Sequence, residues 1–194
     1  MKTKHIVIEG MPGAGKTSLI EILKKEEGFV VYKETYSPEV ELLTSDFEKE
    51  RFYLMEEIRK NKEIILNKVN VFDRNFLSIL AYSYALDRNR LCEKGLYDWV
   101  KKLYLEYVAN GAIKHPDKYV VLLISTSESI NRRKKYQSDP GYAIWFNEGF
   151  LDAFYDFYLN VATEFTKNLN VNVIEGDDIA QTAVLEKVVK IINT

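Results

Sequence analysis

Eight consecutive residues carry the clearest chemistry in this chain: Gly10-Met11-Pro12-Gly13-Ala14-Gly15-Lys16-Thr17, followed by Ser18. They fit the pattern G-x-x-x-x-G-K-[ST], whose chemistry is anion binding. Glycines let successive backbone N–H groups turn inward, and a helix beginning at the lysine adds the positive end of its dipole. Gly10, Pro12, Gly13, Ala14 and Gly15 would form the cradle, with Ser18 at its far side. Lys16 would reach the β- and γ-phosphates of a nucleoside triphosphate, and the Thr17 hydroxyl would ligate Mg²⁺.

The flanking residues supply the context that this pattern requires. His5-Ile6-Val7-Ile8 reads as a buried strand leading into the loop. Leu19-Ile20-Glu21-Ile22-Leu23 follows with apolar residues at helical spacing, and a helix is expected from the loop to near Glu27, with Gly28 as its stop.

Four more apolar runs read as strands: Phe29-Val30-Val31-Tyr32, Val69-Asn70-Val71-Phe72, Tyr119 to Ile124, and Val171-Asn172-Val173-Ile174. Helical stretches separate them. One opens at Ser45-x-x-Glu48, a capping-box spacing, and runs toward Leu66. The next follows Asn75, and another runs from about Tyr97 to Asn110. A fourth is capped by Ser125-x-x-Glu128 and carries Arg132-Arg133-Lys134-Lys135. Phe146, Phe150, Phe154, Tyr158, Val161 and Phe165 recur as the stripe of one long core-facing helix, and the last helix covers Ala180 to Ile192. Strands alternating with helices predict an α/β domain spanning residues 1–194, with a five-stranded parallel sheet and helices on both faces.

Ligands of such sheets bind at the carboxyl ends of the strands. Three strand ends carry reactive groups. Asp73, after the third strand, is placed to hold Mg²⁺, and Arg74 beside it to neutralise phosphate or fix a carboxylate. Glu34, after the second, would take a proton from an attacking hydroxyl. Asp177, after the fifth, would border a purine pocket. Arg132 and Arg133 precede the turn Gln137-Ser138-Asp139-Pro140-Gly141, so residues 130–145 read as a lid that brings cations over the transferred phosphoryl group. Phe52 reads as core rather than as an acceptor platform. His5, His115 and Cys92 have no metal-ligand or nucleophilic setting.

Composition narrows the classes further. The 194 residues are 46% hydrophobic, with a net charge of −2 and one cysteine. Acids and bases alternate without a basic stripe, which argues against nucleic-acid binding. The single cysteine fits a reducing compartment, and no apolar run has the length of a membrane span. A cytoplasmic protein with no membrane partner is expected. There is no Asn-Lys-x-Asp guanine-reading motif.

Ile6-Val7-Ile8-Glu9-Gly10 entering Gly13-Ala14-Gly15-Lys16-Thr17, together with Asp73-Arg74-Asn75 and Leu80-Ala81-Tyr82, resembles the P-loop nucleoside and nucleotide kinases. The likeness is to their thymidylate kinase and deoxynucleoside kinase branches. It implies the three-layer P-loop NTPase fold, ATP and Mg²⁺, a small-molecule phosphate acceptor, and a homodimer. By the same likeness Glu34 matches the general base of deoxynucleoside kinases, and Arg132 and Arg133 match lid arginines. Lys33-Glu34-Thr35-Tyr36 replaces the Arg-Glu-Pro-Gly-Gly of thymidylate kinases, and no tryptophan follows Glu34 before Trp99. Kinases acting on another alcohol, or a partner-regulated ATPase, are the other functions compatible with the phosphate loop.

Overall fold

The computed structural model describes residues 2–177 and 179–193. Five parallel strands form one sheet in the order β2-β3-β1-β4-β5, where β1 is Lys4–Gly10, β2 Phe29–Tyr32, β3 Val69–Asp73, β4 Lys118–Leu123 and β5 Val171–Glu175. The three central strands are almost wholly buried, as their unbroken apolar runs require. Of the edge strands, β2 is half-covered and β5 mostly exposed, with Ile174 buried. The chain leaves β1 toward β2 and β3 on one side, then crosses to β4 on the other. The switch point therefore falls beside the carboxyl end of β1, where the phosphate loop begins.

Eight α-helices accompany the strands among the described residues: α1 (Lys16–Leu23), α2 (Asp46–Asn61), α3 (Phe76–Arg88), α4 (Leu96–Ala109), α5 (Thr126–Arg133), α6 (Glu148–Asp156), α7 (Thr163–Thr166) and α8 (Gln181–Asn193). Helices α2, α3, α4 and α6 pack together as one layer, while α1 and α8 flank a common cleft in the other. Together with the sheet they make the expected three layers. None of the described helices is long and apolar enough to cross a membrane.

Several local expectations are corrected. Helix α1 stops at Leu23 and α2 at Asn61, short of Glu27 and Leu66. Ser45 makes no cap hydrogen bond, and the first N–H of α2, that of Asp46, donates to Glu93 Oε1 (2.9 Å). At α5 the cap does form: Ser125 Oγ accepts from Glu128 N (3.3 Å). Its reciprocal half does not, since Glu128 binds Arg132 and Ser125 N donates to Asp177 Oδ1 (2.7 Å).

The single aromatic helix is also broken up. Phe146 ends a 3₁₀ segment (Pro140–Phe146), and α6 starts afresh from Asn147, whose side chain accepts from Phe150 N. A π-helical turn at Phe157–Val161 then adds a residue to the repeat. That extra residue turns Val161 out of the apolar stripe, half-exposed, and buries Ala162 in its place. Phe52 stays half-exposed off the core, edge-on to Tyr53 at 5.6 Å.

At the opposite end of the sheet, His5 is buried against Phe72, with ring centroids 4.5 Å apart. Burial lowers its pKa to about 4, with only partial opposition from Asp117. Between about pH 6.5 and 4 the unfolded chain therefore binds a proton that the folded chain refuses, and stability falls as pH drops through that window. His5→Leu should remove on the order of 2–3 kcal/mol of this acid-dependent loss. Urea unfolding of both proteins at pH 7 and pH 4.5 checks it: parallel curves would show that His5 contributes nothing to acid sensitivity.

Candidate active site

The phosphate loop is held rigidly from both sides. Gly10 has φ +124°, and a Cβ there would lie 1.9 Å from Leu122 O, so β4 admits only glycine at this position. Met11 N donates to that same carbonyl (2.9 Å). From above, α5 packs on the loop: Ser129 Oγ donates to Pro12 O (2.7 Å), and a Cβ on Gly13 would touch Ser129 O, Arg132 and Arg133. Gly15, in the left-handed region at φ +91°, turns the chain into α1.

Lys16 is buried and folds back over the loop, its Nζ donating to Gly10 O (2.9 Å) and Met11 O (2.7 Å). Burial, and then the nearby Arg74, hold its pKa below the usual lysine range, against the pull of Glu34, Asp73 and Glu9. Thr17 and Ser18 are exposed at the start of α1.

Strand register brings the acids to the loop. Ile8 pairs with Asp73, and Tyr32 with Phe72, so Asp73 and Arg74 stand level with Lys33 and Glu34 at the sheet's carboxyl edge. Asp73 is buried, and its Oδ1 has no hydrogen-bond partner. Burial raises its pKa, Arg74 opposes this, and Glu34 adds to it. Arg74 takes a left-handed backbone (φ +62°), with its N–H donating to Ile8 O (3.0 Å). Its Nε lies 3.1 Å from Glu34 Oε1, an ion pair in which the N–H is not aligned on the oxygen, and its Nη1 donates to Ser78 Oγ (3.0 Å). Burial alone would lower the Arg74 pKa. Glu34, Tyr158, Glu9 and Asp73 together raise it instead.

Behind Arg74 lies a network to which the sequence assigned no role. Glu9, fully buried, accepts from Asn75 N (2.9 Å), Tyr158 OH (2.8 Å) and Ser78 Oγ. Burial raises its pKa, and these donors and Arg74 hold it down. Asn75 completes the turn, capping α3 through Leu77 N (2.9 Å) and donating to Tyr119 OH (3.1 Å). A lone acid closing an otherwise apolar strand, and a serine one helical turn after Arg74, were the signals available for Glu9 and Ser78. Tyr158 gave none.

The basic cluster divides by role. Helix α5 ends at Arg133, and Lys134 and Lys135 lie in a 3₁₀ turn (Lys134–Tyr136). Arg132 Nε binds Glu128 (2.6 Å), and its Nη2 donates to Gly176 O (2.9 Å) and Asp177 O (3.4 Å). It thus lines, with Gly13, Gly15, Ser18, Ile22 and Val184, a cleft of about 310 Å³, and its Nη1 lies 3.5 Å from Gly13 O on the phosphate loop. Arg133 is stacked on Tyr142 (5.2 Å) and Trp145 (5.4 Å), and its buried Nε has no partner. Burial lowers its pKa, with Arg74 adding to the effect while Tyr142 and Glu34 oppose it, which places it on the Glu34–Arg74 side. Asp177 acts through its side chain as a tie between the N-cap of α5 and the loop after β5.

A family model described as an AAA domain matches residues 5–163. The chain belongs to that family. Among solved structures, deoxyadenosine kinase from M. mycoides with dCMP and dCDP bound superimposes with a TM-score of 0.76 at 19% identity, covering 97% of each chain. The same enzyme with bound dCTP gives 0.77 at 20%, covering 97% of this chain and 98% of that one. Thymidylate kinase from Candida albicans gives 0.70 at 16%, over 99% and 92% of the two chains. At these identities the likeness establishes a shared three-layer α/β fold. No curated protein sequence matches significantly.

Proposed function

We propose that the protein is a P-loop kinase that transfers the γ-phosphate of ATP to a nucleoside or nucleoside monophosphate. The observation that carries this reading is convergence: a complete phosphate loop, a buried Asp73 with an uncommitted oxygen, and the Glu34–Arg74 ion pair meet at neighbouring strand ends. A nucleotide switch would not need a carboxylate beside the loop on the acceptor side.

Each group then has a task. Lys16 exchanges its two loop carbonyls for the β- and γ-phosphates. The oxygen donors Thr17 and Asp73 suit Mg²⁺, and the orphaned Asp73 Oδ1 is the atom such an ion would satisfy. When bound, the metal supplies charge neutralisation for the triphosphate. Glu34, held by Arg74, receives the proton of the attacking hydroxyl. Arg133 supplies the lid cation, its guanidinium stacked on Tyr142 and Trp145. The cleft bordered by Arg132 takes the donor base, and residues 130–145 serve as the lid.

A proton acceptor beside the loop is useful when the nucleophile is an alcohol, whereas a phosphate oxygen attacks already deprotonated. Glu34 therefore favours a nucleoside over a monophosphate as acceptor. The test is ATP consumption against a panel of nucleosides, nucleoside monophosphates and simple sugars, with Lys16→Ala as the blank. Rapid Lys16-dependent turnover with a nucleoside is the expected result. Stimulation by sugars alone would move the acceptor out of the nucleoside class, and stimulation by none of them would overturn the reading.

A further inference from the structure

Between the ends of β2 and β3 lies a carboxylate oxygen that the reaction above does not use. Glu57 projects from the inner face of α2 and is only 5% exposed. Its Oε1 is ion-paired with Lys60, one turn along the helix. Its Oε2 is buried and has no hydrogen-bond partner.

The position of this pair is fixed by its neighbours. Lys60 Nζ lies 3.4 Å from Lys33 O, next to Glu34, and 6.0 Å from the centroid of Phe72, next to Asp73. Charge interactions with Glu9 and Glu34 add to the burial that pushes the Glu57 pKa up to about 7, and Lys60 opposes both. Glu57 therefore belongs to the acceptor side of the site.

A buried carboxylate oxygen without a donor keeps the full cost of its desolvation. Such orphans persist where a ligand supplies the missing partner. Of the other orphaned atoms around the loop, Asp73 Oδ1 is assigned to the metal, Arg133 Nε to phosphoryl oxygens, and Arg74 Nε faces Glu34 Oε1 at 3.1 Å. Asn61 Oδ1, one turn along α2 from Glu57, is also without a partner. Glu57 Oε2 needs a hydrogen-bond donor instead. A phosphate group would be repelled, and Lys60 is already committed to Oε1.

We propose that Glu57 Oε2 accepts a hydrogen bond from a hydroxyl or amino group on the body of the phosphate acceptor, remote from the reacting oxygen, and so selects acceptors that carry that donor. The inference rests on the kinase reading and adds a specificity residue to it. Sites that hydrogen-bond a substrate group reject the analogue lacking it far more strongly than apolar pockets reject a missing methylene.

The experiment takes the nucleoside that the wild-type protein turns over best and two sets of analogues. One set lacks single sugar hydroxyls, and the other replaces the exocyclic amino group of the base by a carbonyl. Each is assayed with wild type and with Glu57→Leu/Lys60→Met, which removes the buried pair together so that no lone charge remains. Should that variant fail to fold, Glu57→Gln provides the comparison. One analogue should lose about 30–100-fold in kcat/KM with wild type and less than about 3-fold with the variant. The set in which the penalty collapses tells hydroxyl from amino group. Equal penalties in both proteins would overturn the assignment while leaving the kinase reading intact, because a merely structural Glu57 scales parent and analogue alike. No turnover of any nucleoside by wild type would overturn both.

Discussion

Lys16→Ala is expected to lower acceptor-dependent ATP turnover by about 10³-fold, which corresponds to about 4 kcal/mol of lost transition-state stabilisation. The lysine is held in a buried setting by two backbone carbonyls of its own loop, at 2.9 and 2.7 Å. Those carbonyls are weak partners for an ammonium whose pKa burial already lowers. A triphosphate offers a far better partner, and away from water the attraction is large. The alanine variant should fold as well as wild type, since it removes a buried cation and Met11 O keeps the hydrogen bond from Ala14 N (3.3 Å). Lys16→Arg should fail almost as badly, because a guanidinium is bulkier than the space left between Gly10 O and Met11 O. Single-turnover rates at saturating ATP, with a thermal unfolding curve for each variant, decide the point. A rate within about tenfold of wild type would mean that the loop holds its ligand by amides alone.

Much of the architecture was legible because it follows from one-dimensional patterns. Unbroken apolar runs announced the buried strands, and Gly-Lys-Thr after the first of them announced the anion cradle. Asp73, Arg74 and Glu34 were also legible, because parallel strands of similar length bring their carboxyl ends to one edge. What escaped are the features set by three-dimensional competition. Ser45 leaves its capping bond unmade, while the first N–H of α2 finds Glu93, a residue nearly fifty positions away. Glu9 becomes part of the site only because Ser78 and Tyr158 converge on it from two helices. Tyr158 in turn shares its helical stripe with the buried Phe150 and Phe154, so its spacing marks it as core and conceals the hydroxyl that reaches Glu9. The basic run shows the same limit. Four consecutive cations look equivalent in sequence, yet packing of α5 on the loop sends Arg132 to the carbonyls after β5 and Arg133 into an aromatic cage. Glu57 was invisible for a related reason: mid-helix acids followed by lysines usually face solvent.

Glu34→Gln is expected to reduce kcat by about 10²–10⁴-fold with a nucleoside acceptor while changing its KM less than about threefold. The amide keeps the shape of the carboxylate and still offers an oxygen to Arg74 Nε, now 3.1 Å from Glu34 Oε1. It cannot take a proton, so the loss falls on the chemical step and not on binding. Glu34→Ala is a poorer probe. It would leave Arg74, nearly buried, with Ser78 as its remaining hydrogen-bonded side chain, and would mix a folding defect into the kinetics. The discriminating comparison sets a nucleoside against its own monophosphate in the same variant. A general base matters for the hydroxyl nucleophile and little for a phosphate oxygen, so the glutamine variant should lose activity with the first and keep any activity it has with the second. If both acceptors are turned over at near wild-type rates, Glu34 serves only to orient Arg74, and the proton must leave by another route. If turnover with the nucleoside collapses alone, the acid beside the phosphate loop is the base, and the preference for an alcohol acceptor is written into the end of β2.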